Sequence, residues 1–269
     1  MQSIPSAAVR AIVLVWLMCS PAFSQIAGRV VVDAWFNSQQ RTNAAGQMEY
    51  FHYKWDDVSN SGFFLFGQVF RGFGMATDTL YSAPTVAKLK KAQIYIIVSP
   101  DIPAKNPHPH YVQAEDARQV AEWVKGGGVL LLMGNDPANG ELEHLDQLAD
   151  TFGIHFNPVL SHHVVGKDHE PGRIPVAGGG AVFRFPHLFY MKDTCTISVK
   201  GPAVPVLQDR GDVLMATAKY GKGTVFAVAD PWIYNEYTNG QNLPPEYDNL
   251  AGAVELVRWL VKQVPSFTP

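Results

Sequence analysis

The stretch AQIYIIVSPDIPAKNPHPHYVQAEDARQVAEWVKGGGVLLLMGN, residues 92–135, decides the fold class. It begins on an apolar run, AQIYIIVSP (92–100), and ends on another, VLLLMGN (129–135). Neither alternates polar with apolar, as expected of strands buried on both faces. Between them AEDARQVAEWVKGGG (114–128) has acids in its first turn and glycines at its end, the marks of a helix start and stop. Strand, helix and strand in that order imply a parallel sheet covered on both faces.

The same alternation extends outward. GRVVVDAWF (28–36) reads as a first central strand, GFFLFGQVFRGFG (62–74) as a helix ended by Gly74, and ATDTLYS (76–82) as a short strand. TVAKLKKA (85–92) is an amphipathic helix, ELEHLDQLADTFG (141–153) a helix closed by Gly153, and IHFNPVL (154–160) a strand. Beyond position 160 short runs follow: AVFRF (181–185), FYMKDTCTISV (189–199), VPVLQ (204–208), DVLMATAKY (212–220) and GTVFAVAD (223–230). KYGKGTV reads as a hairpin, and AGAVELVRWLVKQV closes the chain as a helix. The expected fold is a three-layer α/β sandwich with a mostly parallel central sheet and antiparallel strands added in its C-terminal half.

The 269 residues are 47% hydrophobic, so a sizeable core can form, and the net charge of −3 gives no case for nucleic acid or an anionic membrane surface. Residues 1–24 read as a secretory signal: Arg10, the apolar run AIVLVWLM, then small residues at Ala22 and Ser24. The run is too short to span a membrane, so residues 25–269 are expected to be one secreted or periplasmic domain with no membrane span. Cys19 leaves with the signal and Cys195 remains alone, which excludes an internal disulfide.

In open parallel sheets, ligands sit beyond the carboxyl ends of the strands. The loops at those ends are 37–60, 99–111, 134–140, 161–175 and 230–249. ADPWIYNEYTNG (229–240) concentrates Asp230, Trp232, Tyr234, Asn235 and Glu236 in a few residues. The 37–60 loop holds Asn37, Gln39, Arg41, His52, Tyr53, Lys54 and Trp55, and Asp101, Asn135 and Asp136 lie on the loops between. Aromatic faces stack on pyranose rings while amides and carboxylates bond the hydroxyls, so these twelve residues other than the acids Asp136, Asp230 and Glu236 are the expected substrate contacts. Lys54 and Arg41 suit a uronate carboxylate. Asp136, Asp230 and Glu236 are the candidate acids or bases, because glycoside hydrolysis needs two carboxylates roughly 5 to 10 Å apart. Each also suits a plain loop role, and Asp136 before Pro137 suits a helix cap. The histidines at 108, 110, 162 and 163 match no metal-ligand spacing, GxSxG is missing, and neither GGG run suits a phosphate, so no metal and no cofactor is expected.

The segments DAWFNSQQRTNAAGQMEYFHYKWDD, IYIIVSPDIPAKNPHPHY, WVKGGGVLLLMGNDPAN, HLDQLADTFGIHFN and KYGKGTVFAVADPWIYNEYTNG together resemble the domain C-terminal to the catalytic barrel in bacterial unsaturated rhamnogalacturonyl hydrolases. More distantly, the chain resembles class I glutamine-amidotransferase-like domains, including those related to gliding-motility and intraflagellar-transport proteins. The resemblance implies an amidotransferase-like or flavodoxin-like fold and a pectin-type, uronate-bearing glycan. It carries over no catalytic aspartates, since the hydrolase barrel has no counterpart here. Three functions stand open: a carbohydrate-recognition or accessory domain; a hydrolase or lyase on unsaturated or uronate-containing oligosaccharides; and a scaffold for a separate hydrolase barrel. A lined cleft with the two aromatic loops facing each other separates the first two from the third.

Overall fold

The computed structural model describes residues 28–265. The expected signal segment, residues 1–24, lies outside them. The chain runs β1 (Gly28–Asp33), a small hairpin of β2 (Gln40–Thr42) and β3 (Met48–Tyr50), α1 (Phe64–Gly72), β4 (Met75–Leu80), α2 (Val86–Leu89), β5 (Ile94–Val98), α3 (Ala114–Lys125) and β6 (Val129–Met133). It continues through α4 (Leu145–Ala149), β7 (Ile154–Ser161), the pair β8 (Arg173–Val176) and β9 (His187–Tyr190), then β10 (Thr194–Val199), β11 (Ala203–Asp209), β12 (Asp212–Tyr220), β13 (Gly223–Val228) and α5 (Asn249–Gln263).

The central sheet has nine strands in the order β4-β1-β5-β6-β13-β12-β10-β7, with β11 also paired to β12. From β4 to β13 every neighbour is parallel. From β13 onward the pairings are antiparallel. The innermost strands β5, β6 and β13 are buried at every residue. Helix α1 packs on α5, while α2 and α4 both pack on α3, giving the two helical layers. Among the described residues no helix is long and apolar enough to cross a membrane.

The central strands and most helices lie where the sequence placed them, but the 37–60 loop holds the β2–β3 hairpin, FYMKDTCTISV divides between β9 and β10, and one run forms no strand. AVFRF takes no strand. Phe183 turns into the core, and the backbone N–H groups of Arg184 and Phe185 donate to Glu255 of α5 at 2.7 and 3.2 Å rather than to a neighbouring strand. KYGKGTV forms the β12–β13 hairpin, with Tyr220 opposite Gly223 and Gly221 at φ +57°. Gly223 sits beneath α3: a Cβ there would collide with the carbonyl oxygens of Val124 and Gly128. Gly223→Ala is expected to cost about 1–3 kcal/mol by forcing helix from sheet, read as a lower denaturation midpoint at unchanged m.

Candidate functional site

Strand β1 ends on Asp33, fully buried, whose carboxylate accepts from the backbone N–H of Trp35 (3.1 Å) and Phe36 (2.7 Å) and from the Tyr95 hydroxyl (2.7 Å). This turns the chain sharply and delivers Asn37, Ser38 and Gln39 beside the end of β5. There Asp101, also fully buried, gathers them. It accepts from Ser38 N–H (2.8 Å), Gln39 Nε2 (2.7 Å) and Asn106 Nδ2 (2.7 Å). Asn37 Nδ2 donates to the Ser99 carbonyl at 2.8 Å, and buried Lys54 Nζ donates to the Asn37 carbonyl at 2.9 Å. After the β2–β3 hairpin the chain returns through His52 and Tyr53, both at positive φ (57° and 51°).

The opposite wall is built by Asp230. It is fully buried, accepts from Trp232 N–H (2.8 Å) and Lys192 N–H (3.2 Å), and starts the 3-10 turn Pro231–Tyr234 that presents Trp232 half-buried at the surface. Asn235 ties this loop to the first one: its Nδ2 donates to the Ser61 carbonyl (3.2 Å), while its Oδ1 accepts from Glu236 N–H (2.6 Å). The floor comes from the ends of β5 and β6. Ser99, at φ +39°, accepts from Asn135 Nδ2 (3.1 Å) and donates to the Asn139 carbonyl (3.2 Å).

Together these walls enclose a cleft of about 170 Å³. Gln39, His52 and Tyr53 line one side, Trp232 and Glu236 the other, and Ser99, Asn135, Asn139 and Lys105 the base and mouth. The two aromatic loops therefore face one another across a concave site. Three of its lining residues, His52, Tyr53 and Ser99, hold backbone conformations that L side chains adopt at a cost, and such strain concentrates at ligand sites. The volume is below the 300–1,000 Å³ of drug-sized ligand pockets; it suits one small ring.

The sequence-selected residues divide into those that line the cleft and those that build it. Gln39, His52, Tyr53, Asn135, Trp232 and Glu236 line it. Asn37, Lys54, Asp101, Asp230 and Asn235 stand behind them as supports. Trp55 lies in the core, its Nε1 donating to the Asp78 carbonyl at 2.7 Å, and Tyr234 stacks on Phe66 at 5.0 Å between centroids. Arg41 is exposed on β2 and pairs with Glu49 at 2.8 Å. Asp136 caps its own loop, accepting from Ala138 N–H (2.9 Å) and Asn139 Nδ2 (2.7 Å). Of the three candidate acids, Glu236 alone lines the cleft. Ser99 and Asn139 were not singled out from the sequence, while Lys105 stands on one of the ligand-side loops but was not among the expected site residues.

Burial governs the electrostatics. It pushes the Glu236 carboxyl above its ordinary value, against the pull of Lys192. It lowers His52 to about 4, helped by Lys54, so that the imidazole is neutral near pH 7. Burial also raises the Tyr53 phenol, which stays protonated and able to donate. Lys54 falls to about 8 for the same reason, offset by Asp33 and Asp101. The cleft thus offers amides, hydroxyls, a neutral imidazole, one carboxyl group and the Lys105 ammonium. Among the described residues no three metal-ligating side chains converge.

No family model matches the sequence, and no curated protein matches it. Solved structures share its fold. The N-terminal domain of mmIFT52 aligns over 87% of this chain and 97% of its own, at 15% identity and a TM-score of 0.62. The cold-adapted β-galactosidase from Rahnella sp. R3 aligns over 88% of this chain and 32% of its own, at 15% identity and a TM-score of 0.53. The β-galactosidase from Bacillus circulans sp. alkalophilus aligns over 90% of this chain and 32% of its own, at 14% identity and a TM-score of 0.51. The chain therefore spans about a third of each β-galactosidase. At these identities the likeness is one of fold.

Proposed function

We propose that this protein is a secreted or periplasmic carbohydrate-recognition domain whose cleft holds one sugar ring between Tyr53 and Trp232, in the breakdown of uronate-bearing, pectin-type glycans. One observation carries the reading: two aromatic loops, remote in sequence and tied together through Asn235 and Ser61, converge on a cleft of amides and hydroxyls. Domains of this fold occur inside two β-galactosidases, and the motifs resemble those of the rhamnogalacturonyl hydrolase accessory domain. Lys105 at the cleft and Lys192, whose Nζ lies 5.7 Å from the Trp232 ring centroid, take the place in uronate recognition that the sequence suggested for Lys54 and Arg41.

Recognition is favoured over hydrolysis because the cleft holds one carboxyl group, Glu236, while Asp136 and Asp230 are spent on capping their own loops. A retaining or inverting mechanism needs two. The test is calorimetric titration with saturated and unsaturated rhamnogalacturonan oligosaccharides, each mixture then analysed by mass spectrometry. Binding heat without new masses is expected. Trp232→Ala is expected to weaken binding by about 1–3 kcal/mol, the range for removing a well-packed aromatic contact. Unchanged affinity in a folded variant would remove Trp232 from the site, and new masses lost in Glu236→Gln would make the protein an enzyme.

A further inference from the structure

We propose that a second sugar subsite adjoins the cleft, on a platform of Tyr237, Tyr247 and His169 around Tyr190, and that it takes a neutral ring of the same oligosaccharide. The proposal rests on the reading of the cleft as a sugar site and extends it to a ligand of more than one ring.

A small hydrophobic cluster stands apart from the main core: Val164, Tyr190 and Leu243, with Tyr237 and Tyr247 packed against it. Tyr190 is its hub. Its ring centroid lies 4.7 Å from that of Tyr237, 5.5 Å from Tyr247 and 5.3 Å from His169. Tyr190 is buried, but Tyr237, Tyr247 and His169 are half-buried and reach solvent. The hydroxyls of Tyr190, Tyr237 and Tyr247 make no hydrogen bond to another described residue; burial is the first cause that raises each of them, and nearby carboxylates add to it. Three amphipathic rings gather on one patch with their hydroxyls uncommitted to the protein, the arrangement in which a ring offers an apolar face and a polar tip together.

The patch is continuous with the cleft. Tyr237 follows Glu236, a cleft residue, and its N–H donates to the Trp232 carbonyl at 3.2 Å. Lys192, two residues beyond Tyr190, reaches over the Trp232 ring. A ring in the cleft therefore has the platform as its neighbour past Trp232.

Charge selects the occupant. The carboxylates of Asp168, Glu170 and Glu246 act on the platform hydroxyls, with Arg173 opposing them near Tyr247, while Asp193 is paired with Lys192 at 3.5 Å. Like charges in such proximity repel an incoming anion. A uronate is disfavoured there, while a neutral ring gains the aromatic faces and free hydroxyls. The cleft, flanked by Lys105 and Lys192, has the opposite preference.

Calorimetry on the full chain tests this with three probes: galacturonate, a tetrasaccharide alternating galacturonate with rhamnose, and tetragalacturonate. The alternating tetrasaccharide is expected to bind at least about tenfold tighter than galacturonate. Tyr247→Ala should cut that ratio by about fivefold or more. The double variant Tyr237→Phe with Tyr247→Phe keeps the rings, removes both hydroxyls and should cut it as well. A ratio that survives both variants overturns the platform and leaves the cleft reading standing. Tetragalacturonate binding as tightly as the alternating probe overturns the neutral ring. Galacturonate that does not bind, or binds without regard to Trp232→Ala, overturns the cleft reading and the platform with it.

Discussion

Asp101→Ala is expected to lower stability by about 3 kcal/mol and to abolish ligand binding at the cleft. Asp101 touches no cleft volume itself, yet three donors depend on it: the Ser38 N–H, the Gln39 amide and the Asn106 amide, all at 2.7–2.8 Å. Hydrogen bonds to a charged acceptor contribute about 1.5–3 kcal/mol each, and donors left buried without a partner cost further. Ser38 and Asn106 are half-buried and recover part of the loss from water, whereas Gln39 is buried and does not. That is why the expected total is near the contribution of one or two such bonds rather than three. The functional loss follows from geometry. Gln39 lines the cleft and Asp101 fixes its amide, and Lys54 also loses a nearby counter-charge. Urea unfolding and calorimetry read the two effects separately. A stability change below about 1 kcal/mol, or a variant that binds as the wild type does, would show that the wall is held by other means.

The central sheet and the position of the cleft were legible in the sequence because both rest on strong local signals. Continuous apolar runs such as VLLLM have no stable place except the middle of a covered sheet, and β6 is buried at every residue. Once the strands are parallel, their carboxyl ends define the face where loops such as 230–239 must lie. Which loop side chain lines the cleft was not legible, since that depends on partners far along the chain. Trp55 and Trp232 look alike in sequence. Trp55 turns inward because the Asp78 carbonyl on β4 accepts its indole N–H, while Trp232 is held outward by the Asp230 cap. Asp230 and Glu236 are likewise six positions apart in one aromatic loop, and only the backbone donors of Trp232 and Lys192 make the first a support. Ser99 escaped because nothing in VSP announces a φ of +39°. AVFRF misled because its alternation suits a strand, but Glu255, far along the chain on α5, supplies the acceptors its backbone uses.

Between pH 4 and pH 7 the stability of the wild-type protein should fall by about 3 kcal/mol on account of Asp33 alone, and Asp33→Asn should remove that part of the slope. Burial raises this carboxyl from an ordinary 3.8 to about 6, against the opposing pull of the Tyr95 hydroxyl, the Phe36 N–H and Lys54. A raised folded-state value means that the native protein holds a proton the unfolded chain has already released. The stabilisation is therefore complete below about pH 4 and is lost as pH rises through about 6. The difference of about two pH units, at about 1.4 kcal/mol each, sets the size. Lys54 behaves in the opposite sense. Its value drops from 10.5 to about 8, chiefly through burial, so its contribution is present above 10.5 and is lost as pH falls through 8. Near neutrality both groups are charged and buried, and each is the other's compensation. Asp146, raised to about 7 by burial first, adds to the acid-side slope in both proteins, so the comparison of wild type with Asp33→Asn isolates the single group. Urea unfolding midpoints at half-unit steps from pH 4 to 7 provide the measurement. Curves that run parallel in the two proteins would show that Asp33 titrates alike in the folded and unfolded chain. A divergence confined to the interval between 4 and 7 would show that the turn delivering Asn37 and Gln39 to the cleft is built on a carboxyl group the fold prefers to keep protonated.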